Sequence, residues 1–365
     1  MDRKMKTVLL GDVCDFQGGA QPPKNDFIYE KRNGYVRFLQ IRDFKKPIQP
    51  TYIPVSKKNR LCEDEDILIG RYGASVGNIL TGMSGAYNVA MMKITPKRGL
   101  DKKFLYIYLL SKLFQEPLSK ISARSAQAGF SKEDIYSFEI PLPGLEEQGR
   151  IVKKLDEVFA AIDKAKENTE KNLKNVQELF ESALQGTFSK PEDSWTKGTL
   201  DTFCILQRGH DLPKAQRIPG QYPLASSSGI IDTHNVAKSK GPGVYTGRSG
   251  SVGNIFYVEE DYWPLNTVLY VKEFFGNEPK LIYYLIKSLN FIEYAGGTGV
   301  PTLNRNVVHQ ISVSLPPKAQ QKELSGKLDK LSTQTQKLQK LYQQKLNNLE
   351  ELRQSYLHHA FTSNM

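Results

Sequence analysis

Long apolar runs are missing from this chain: none approaches the roughly 18 consecutive apolar residues of a membrane span, so no membrane partner is expected. No apolar stretch with a small-residue cleavage site follows the charged start Met1–Lys6, which points to a cytoplasmic protein without a secretory leader. Cysteine is scarce. Cys14, Cys62 and Cys204 form no CxxC pair, which leaves no basis for a disulfide framework or a zinc site. The five histidines form no HExxH or His/Cys set, and His358–His359 suits a helix C-terminus, where the dipole favours it.

Catalytic signatures are lacking too. The loop GRYGASVGN (Gly70–Asn78) is neither GxxxxGK[ST] nor GxGxxG, and it has no Lys and hydroxyl to hold phosphate and magnesium. The Pro-Pro pairs in QPPK (Gln21–Lys24) and LPPK (Leu315–Lys318) lack the neighbours of an adenine-gripping methyltransferase motif. The acidic run Glu63–Asp66 has no ExK partner and reads as a surface turn rather than a metal-dependent nuclease site. No catalytic residue and no metal ligand is therefore assigned.

What is present is repetition. IGRYGASVGNI (Ile69–Ile79) returns as TGRSGSVGNI (Thr246–Ile255). KTVLLGDVCDFQGGAQPPK (Lys6–Lys24) lies against TKGTLDTFCILQRGHDLPK (Thr196–Lys214), FLYIYLLSKLF (Phe104–Phe114) against LIYYLIKSLNF (Leu281–Phe291), and LPGLEEQGRIVKKLDEV (Leu142–Val158) against LPPKAQQKELSGKLDKL (Leu315–Leu331). The offset falls from 190 residues at Cys14/Cys204 to 173 at Leu142/Leu315, so the first copy carries extra loop residues. A repeat this long is a whole domain plus a helix, as the 365-residue length also suggests. In copy one DILIGRYG and YNVAMMKI read as short buried strands, Phe104–Leu113 as an amphipathic helix, and IPLPGLEEQ as an extended X-Pro passage before a long helix. The glycines of GRYGASVGN suit a tight strand-to-strand connection.

The long helices show an a/d seam. Leu155, Val158, Ile162, Ala165, Thr169, Asn172, Val176, Leu179 and Ala183 alternate steps of three and four, and 173 residues on stand Leu328, Leu331, Thr335, Leu338, Tyr342, Lys345, Leu349, Leu352 and Tyr356. Roughly 40 helical residues extend about 60 Å, and each such helix needs a partner. The expectation is intramolecular antiparallel pairing, with Thr169/Tyr342 and Asn172/Lys345 disfavouring register slips.

The chain carries 50 Lys+Arg against 39 Asp+Glu, a net charge of +11, which favours a polyanionic partner. The two helical spans hold only +2 of it, so the basic charge belongs to the globular units. There, polar and basic residues gather in low-hydrophobicity loops: Lys24 to Arg42, SARSAQ (Ser122–Gln127), Arg208–Arg217 and GGTGVPTLNR (Gly296–Arg305). Arg and Lys can take phosphate or guanine edges, and Asn and Gln suit adenine. The candidate DNA contacts are Lys24, Arg37, Arg42, Arg71, Asn88, Arg124 and Gln127 in the first copy, and Lys214, Arg217, Arg248, Asn266, Thr298, Asn304 and Arg305 in the second. For Arg71 and Arg248, in GRYG and GRSG, the residues leave loop buttressing equally open, and the same holds for Asn88 and Asn266.

LIGRYGASVGNI with VYTGRSGSVGNI, PLPGLEEQGRIVKKLD with SLPPKAQQKELSGKLD, and ALQGTF with YLHHAF occur in the same order twice. On these residues the chain resembles the specificity subunit of type I restriction-modification systems over nearly its whole length, with Gln320–Gln321 replacing the second Glu-Gln. The resemblance implies an α+β fold: two pseudo-symmetric α/β target recognition domains, at 1–141 and 190–314, separated by a long antiparallel coiled coil of two helices, at 142–189 and 315–365. It implies a non-catalytic reader of a bipartite site in double-stranded DNA, with the helices as a ruler. S-adenosylmethionine, ATP and Mg would sit on partner subunits, two modification subunits that methylate adenine and restriction subunits that cleave; this chain would hold no cofactor. A stand-alone DNA-binding protein, or a reader for a methylase without a nuclease, is the alternative from another class.

Overall fold

Ile67–Gly70, a four-residue strand buried at every position, is the centre of the first sheet. The structure is a computed structural model describing residues 6–45, 49–123, 129–296 and 301–362. Its contacts divide into two compact units, residues 1–168 with 345–365, and 169–344.

In the first unit an antiparallel sheet runs in the order Cys14–Gly18, Met91–Pro96, Ile67–Gly70, Ile79–Leu80. A second sheet, Thr51–Pro54, Tyr35–Leu39, Gly85–Tyr87, Leu61–Cys62, contains one parallel pairing, Phe38 to Ala86. The second unit repeats the first sheet as Ile205–Arg208, Val268–Glu273, Gly243–Gly247, Ile255–Val258. Its other sheet, Gly229–His234, Tyr222–Ser226, Trp263–Pro264, repeats the parallel pairing at Leu224 and Trp263. Helices Lys102–Leu110 and Pro279–Ser288 bury Phe104, Leu105 and Tyr108, and Leu281, Leu285 and Ile286, against the respective cores.

The glycine loop makes the expected tight connection, a 3-10 turn at Gly73–Ser75 with Gly73 at φ +58° and Gly77 at φ +80°. YNVAMMKI is not one strand. Tyr87 ends a strand of the second sheet, Asn88–Ala90 turn, and Met91 begins a strand of the first, because the chain changes sheets there. The acidic run is a turn: the Glu63 amide donates to Asp66 Oδ2 at 3.0 Å, and Lys93 reaches the same oxygen at 3.1 Å. Burial would raise the Asp66 pKa, but the Glu63 amide and Lys93 outweigh it and hold the carboxyl low.

The X-Pro passages lead into 45-residue helices, Leu145–Ser189 and Lys318–Thr362. One buried glutamine fixes each entry. Gln148 donates to the carbonyls of Pro143 (2.8 Å) and Gly99 (2.9 Å) and accepts from the Asp101 amide (2.8 Å). Gln321 donates to Pro316 O (3.0 Å) and Asn277 Oδ1 (2.9 Å) and accepts from the Glu278 amide (2.8 Å). The Gln-Gln replacement therefore changes only the outward residue, since the buried Gln321 does the work of Gln148.

The two long helices pair antiparallel. In the first unit Asp163 meets Arg353 at 2.6 Å, the Arg353 guanidinium lies 4.5 Å over the Phe159 ring, and Phe361 packs edge-on against Phe104 and Tyr108. In the second unit Phe180 and Leu184 share a core with Leu328, and Phe180 meets Tyr284. Leu155, Ile162, Val176 and Leu328 are buried, and Val158, Leu331 and Leu349 pack at the core margin.

Three seam leucines are not where a strict heptad puts them: Leu179, Leu338 and Leu352 are 56%, 39% and 45% exposed. Asn172 and Lys345 are exposed as well. On the first helix the buried side chains include Ile151, Leu155, Phe159 and Ile162, then Thr169 and Val176 at seven-residue steps, then Phe180 and Leu184 at steps of four. A straight helix drifts about 20° per heptad from a seven-residue repeat, and beyond Val176 Phe180 has taken the inward place of Leu179. Phe180→Ala or Leu184→Ala should each destabilise the second unit by about 3 kcal/mol, whereas Leu179→Ala should stay within about 0.5 kcal/mol. Chemical denaturation of the variants checks this.

Candidate nucleic-acid interface

The first sheet of each unit brings some of the predicted residues, Arg71 and Arg248 among them, to one end. Cys14–Gly18 and Ile67–Gly70 both run antiparallel to Met91–Pro96, with Gly18 opposite Met92 and Gly70 opposite Met91, so two strands finish where the third begins. Arg71 follows directly, and its amide donates to Ala90 O at 2.9 Å. In the second unit Arg208 stands opposite Leu269 and Gly247 opposite Val268, and the Arg248 amide donates to Thr267 O at 2.8 Å.

The residues that follow SARSAQ and GGTGV return to this end in their respective units. Phe130 N donates to Arg71 O at 3.3 Å, and Leu303 N to Arg248 O at 2.7 Å. Tyr72 bridges to Gly129 and Ser249 to Thr302. Backbone closeness requires glycine just before: a Cβ on Gly19 would lie 1.9 Å from Asn88 O, and one on Gly209 2.1 Å from Leu265 O. Arg71 thus meets the segment that follows Arg124 and Gln127 in the chain, and Arg248 the segment that follows Thr298 and leads into Asn304 and Arg305, while Asn88 lies at the close approach of Gly19. Arg124, Gln127 and Thr298 themselves lie outside the described residues.

Side chains differ where the backbone agrees. Arg71 Nε and Nη2 reach Phe130 O at 3.4 and 3.5 Å, and its guanidinium lies 5.1 Å from the centre of the Tyr72 ring. Among the described residues the Arg248 side chain makes no hydrogen bond or ion pair, and neither do those of Lys24, Arg42 and Lys214. Asn88 Oδ1 is buried with no partner among the described residues. Arg208 donates two hydrogen bonds to the Asp211 carboxylate and Asn266 a third, and these partners, Arg208 first, hold the Asp211 pKa low. Asn304 accepts the Asn306 amide at 3.0 Å and caps the helix Arg305–His309, leaving Arg305 exposed.

Lys24 and Lys214 sit in matching 3-10 turns, Lys24–Asp26 and Lys214–Gln216, and Arg217 Nε reaches Leu212 O at 3.4 Å. Arg37 belongs to the second sheet, 3.9 Å from the buried Asp43 carboxylate. Sequence reasoning passed over Arg208 and Asp211: the RGHD stretch lay in a flagged loop, but only the fold shows that Asp211 meets Asn266.

Among the described residues there is no candidate metal centre and no candidate membrane span: no group of three or more His, Cys, Asp or Glu could hold a metal ion, and no helix is long and apolar enough to cross a membrane. The three thiols are buried. Desolvation pushes Cys14 and Cys204 up to about 12 and Cys62 to about 11, which keeps them protonated and unreactive.

The sequence model of the type I restriction modification DNA specificity domain matches residues 2–175 and again 176–350. The chain belongs to this family. Relatives include the type I restriction enzyme MjaVIII specificity subunit of Methanocaldococcus jannaschii, 26% identical over 215 residues, covering 56% of this chain and 50% of that one. The EcoBI specificity subunit of Escherichia coli is 27% identical over 159 residues, 43% of this chain and 32% of that one. The match thus spans half or less of these relatives' length. Among solved structures, the fold is shared with a chain from a study of complex assembly and conformational transition of the type I R-M system (TM-score 0.84, 17% identity, 100% of this chain and 99% of that one). It is shared also with the HsdS subunit from Thermoanaerobacter tengcongensis (TM-score 0.62, 16% identity, 100% and 98%). Family membership makes the repeated units two specificity domains in tandem.

Histidine ties one of those ends to acid conditions. His309 Nε2 accepts the Leu206 amide at 2.9 Å, joining the helix Arg305–His309 to the strand that ends in Arg208. Burial, opposed by Asp201 and helped less by Arg305, holds its pKa below the usual 6.5; burial then Lys238 does the same for His210. With the folded value below the unfolded one, this stability is fully present above about pH 6.5 and is lost as pH falls through the folded pKa. Denaturation midpoints of the second unit should fall between pH 7 and 5, and less so in His309→Gln, which keeps an acceptor and removes the titration.

Proposed function

We propose that this chain is the non-catalytic DNA reader of a type I restriction-modification system, with each sheet end reading one half of a bipartite site. The observation that carries this is the duplicated main-chain frame, Arg71 with Phe130 and Arg248 with Leu303, holding unlike side chains. Family membership and the basic charge outside the long helices support it. On this reading modification subunits bring S-adenosylmethionine and methylate adenine, and restriction subunits bring ATP and Mg for cleavage; this chain binds none of these cofactors and acts in the cytoplasm. The spacer between the two DNA words follows helix length, at about 1.5 Å per residue against about 3.4 Å per base pair.

Methylome sequencing of a host with and without the gene tests the reading. A bipartite adenine-methylated motif that disappears with the gene supports it, and an unchanged methylome, or methyl transfer by the isolated chain, contradicts it. The two equivalent arginines should behave differently. Arg248→Ala should lower the salt dependence of DNA binding by about one phosphate's worth. Arg71→Ala should instead lower the melting temperature and leave the slope nearly unchanged, because Arg71 is engaged with Phe130. Equal slopes for both variants and wild type would remove the phosphate role from Arg248.

A further inference from the structure

Asp211 stands at the sheet end of the second unit with both carboxylate oxygens committed. Arg208 donates through Nη1 to Oδ2 at 3.1 Å and through Nη2 to Oδ1 at 2.9 Å, and Asn266 Nδ2 donates to Oδ1. The three side chains come from two segments: the end of the strand Ile205–Arg208 with the turn after it, and the turn between Trp263–Pro264 and Val268–Glu273. Side-chain exposure is 46% for Arg208 and 63% for Asp211. An ion pair this exposed contributes little to stability, so folding alone does not account for its two-pronged geometry.

We infer that Asp211 is a positioning residue that presents Arg208 and Asn266 as one reader of adjacent base pairs in the major groove, Arg208 to a guanine and Asn266 to an adenine. The inference rests on the DNA-reading function proposed above and names the chemistry of one half-site. The charges of Arg208 and Asp211 cancel, so the cluster is a poor grip for phosphate, whose neutralisation needs an uncompensated cation. End-on pairing leaves the Nε–H and one Nη2–H of Arg208 along its other edge, the donor pair that matches guanine N7 and O6. Asn266 keeps Oδ1 and one N–H, the acceptor and donor that adenine N6 and N7 require. A bare carboxylate here would repel DNA; held between these two groups it fixes both orientations before binding, which lowers the ordering cost. In the first unit the corresponding positions are Gly18, Gln21 and Asn88, with no ion pair, as a reader of a different word would have.

The test uses the full chain co-expressed with the modification subunit of its own system, with methylome sequencing and duplex binding at several salt concentrations. Asp211→Ala and Asp211→Asn should relax preference at one or two adjacent base pairs of a single half-site, on the order of tenfold each. The other half-site, the spacer and the salt slope should not change. Arg208→Lys, which cannot make the bidentate contact, should relax the guanine position alone. An unchanged motif in variants that still methylate overturns the inference, and so does a fall in salt slope without a change in motif, which would make the cluster a phosphate contact. A wild-type complex that methylates no bipartite motif would count against the DNA-reading function itself, not against the assignment of these residues within it.

Discussion

A helix of 45 residues with an apolar stripe along one side has no core of its own, and this constraint organises the rest of the chain. The stripe of Leu145–Ser189 is divided: Ile151, Leu155, Phe159 and Ile162 belong to one core, Phe180 and Leu184 to another. The second long helix is divided the opposite way, with Leu328 in the second unit and Leu357, Ala360 and Phe361 in the first. Each unit is therefore completed by a segment from far along the chain. Removing either helix would open both cores, so the duplication is a folding requirement as well as a repetition of sequence.

The same economy of parts appears at the sheet ends. The frame there is made of main-chain bonds: residue 71 or 248 takes the amide of residue 130 or 303 and gives its own to residue 90 or 267. Since the frame uses backbone, side chains at 18/208, 21/211, 71/248 and 88/266 can change without loss of the fold. Arg71 turns inward to a carbonyl, Arg208 turns outward to Asp211, and the surrounding strands stay the same. A scaffold built this way lets specificity vary while stability is kept elsewhere, in Gln148 and Gln321 and in the aromatic contacts of Phe180 and Phe361.

Much of this was legible in the sequence because repetition survives at positions the fold constrains. GRYG and GRSG mark the strand end, the LP-x-x-x-x-Q passages mark the helix entry, and Cys14 and Cys204 occupy matching buried sites. Other features were hidden for physical reasons. A heptad count cannot see the drift that replaces Leu179 by Phe180, because both residues are apolar neighbours and only the angle of a straight helix decides between them. YNVAMMKI reads as one strand because nothing local announces the change of sheet at Asn88–Ala90. Asp211 and Asn266 are 55 residues apart and meet only once two sheets have formed, so no motif could pair them.

If two independent readers share one scaffold, exchanging one of them changes one DNA word and leaves the other. Residues 24–128 would be replaced with the corresponding segment of a family member of different specificity, and the methylated motif read in the complete complex. The expected result is a new word in one half-site, the original word in the other and an unchanged spacer. A change in both words, or in neither while methylation persists, would contradict independent reading by the two units.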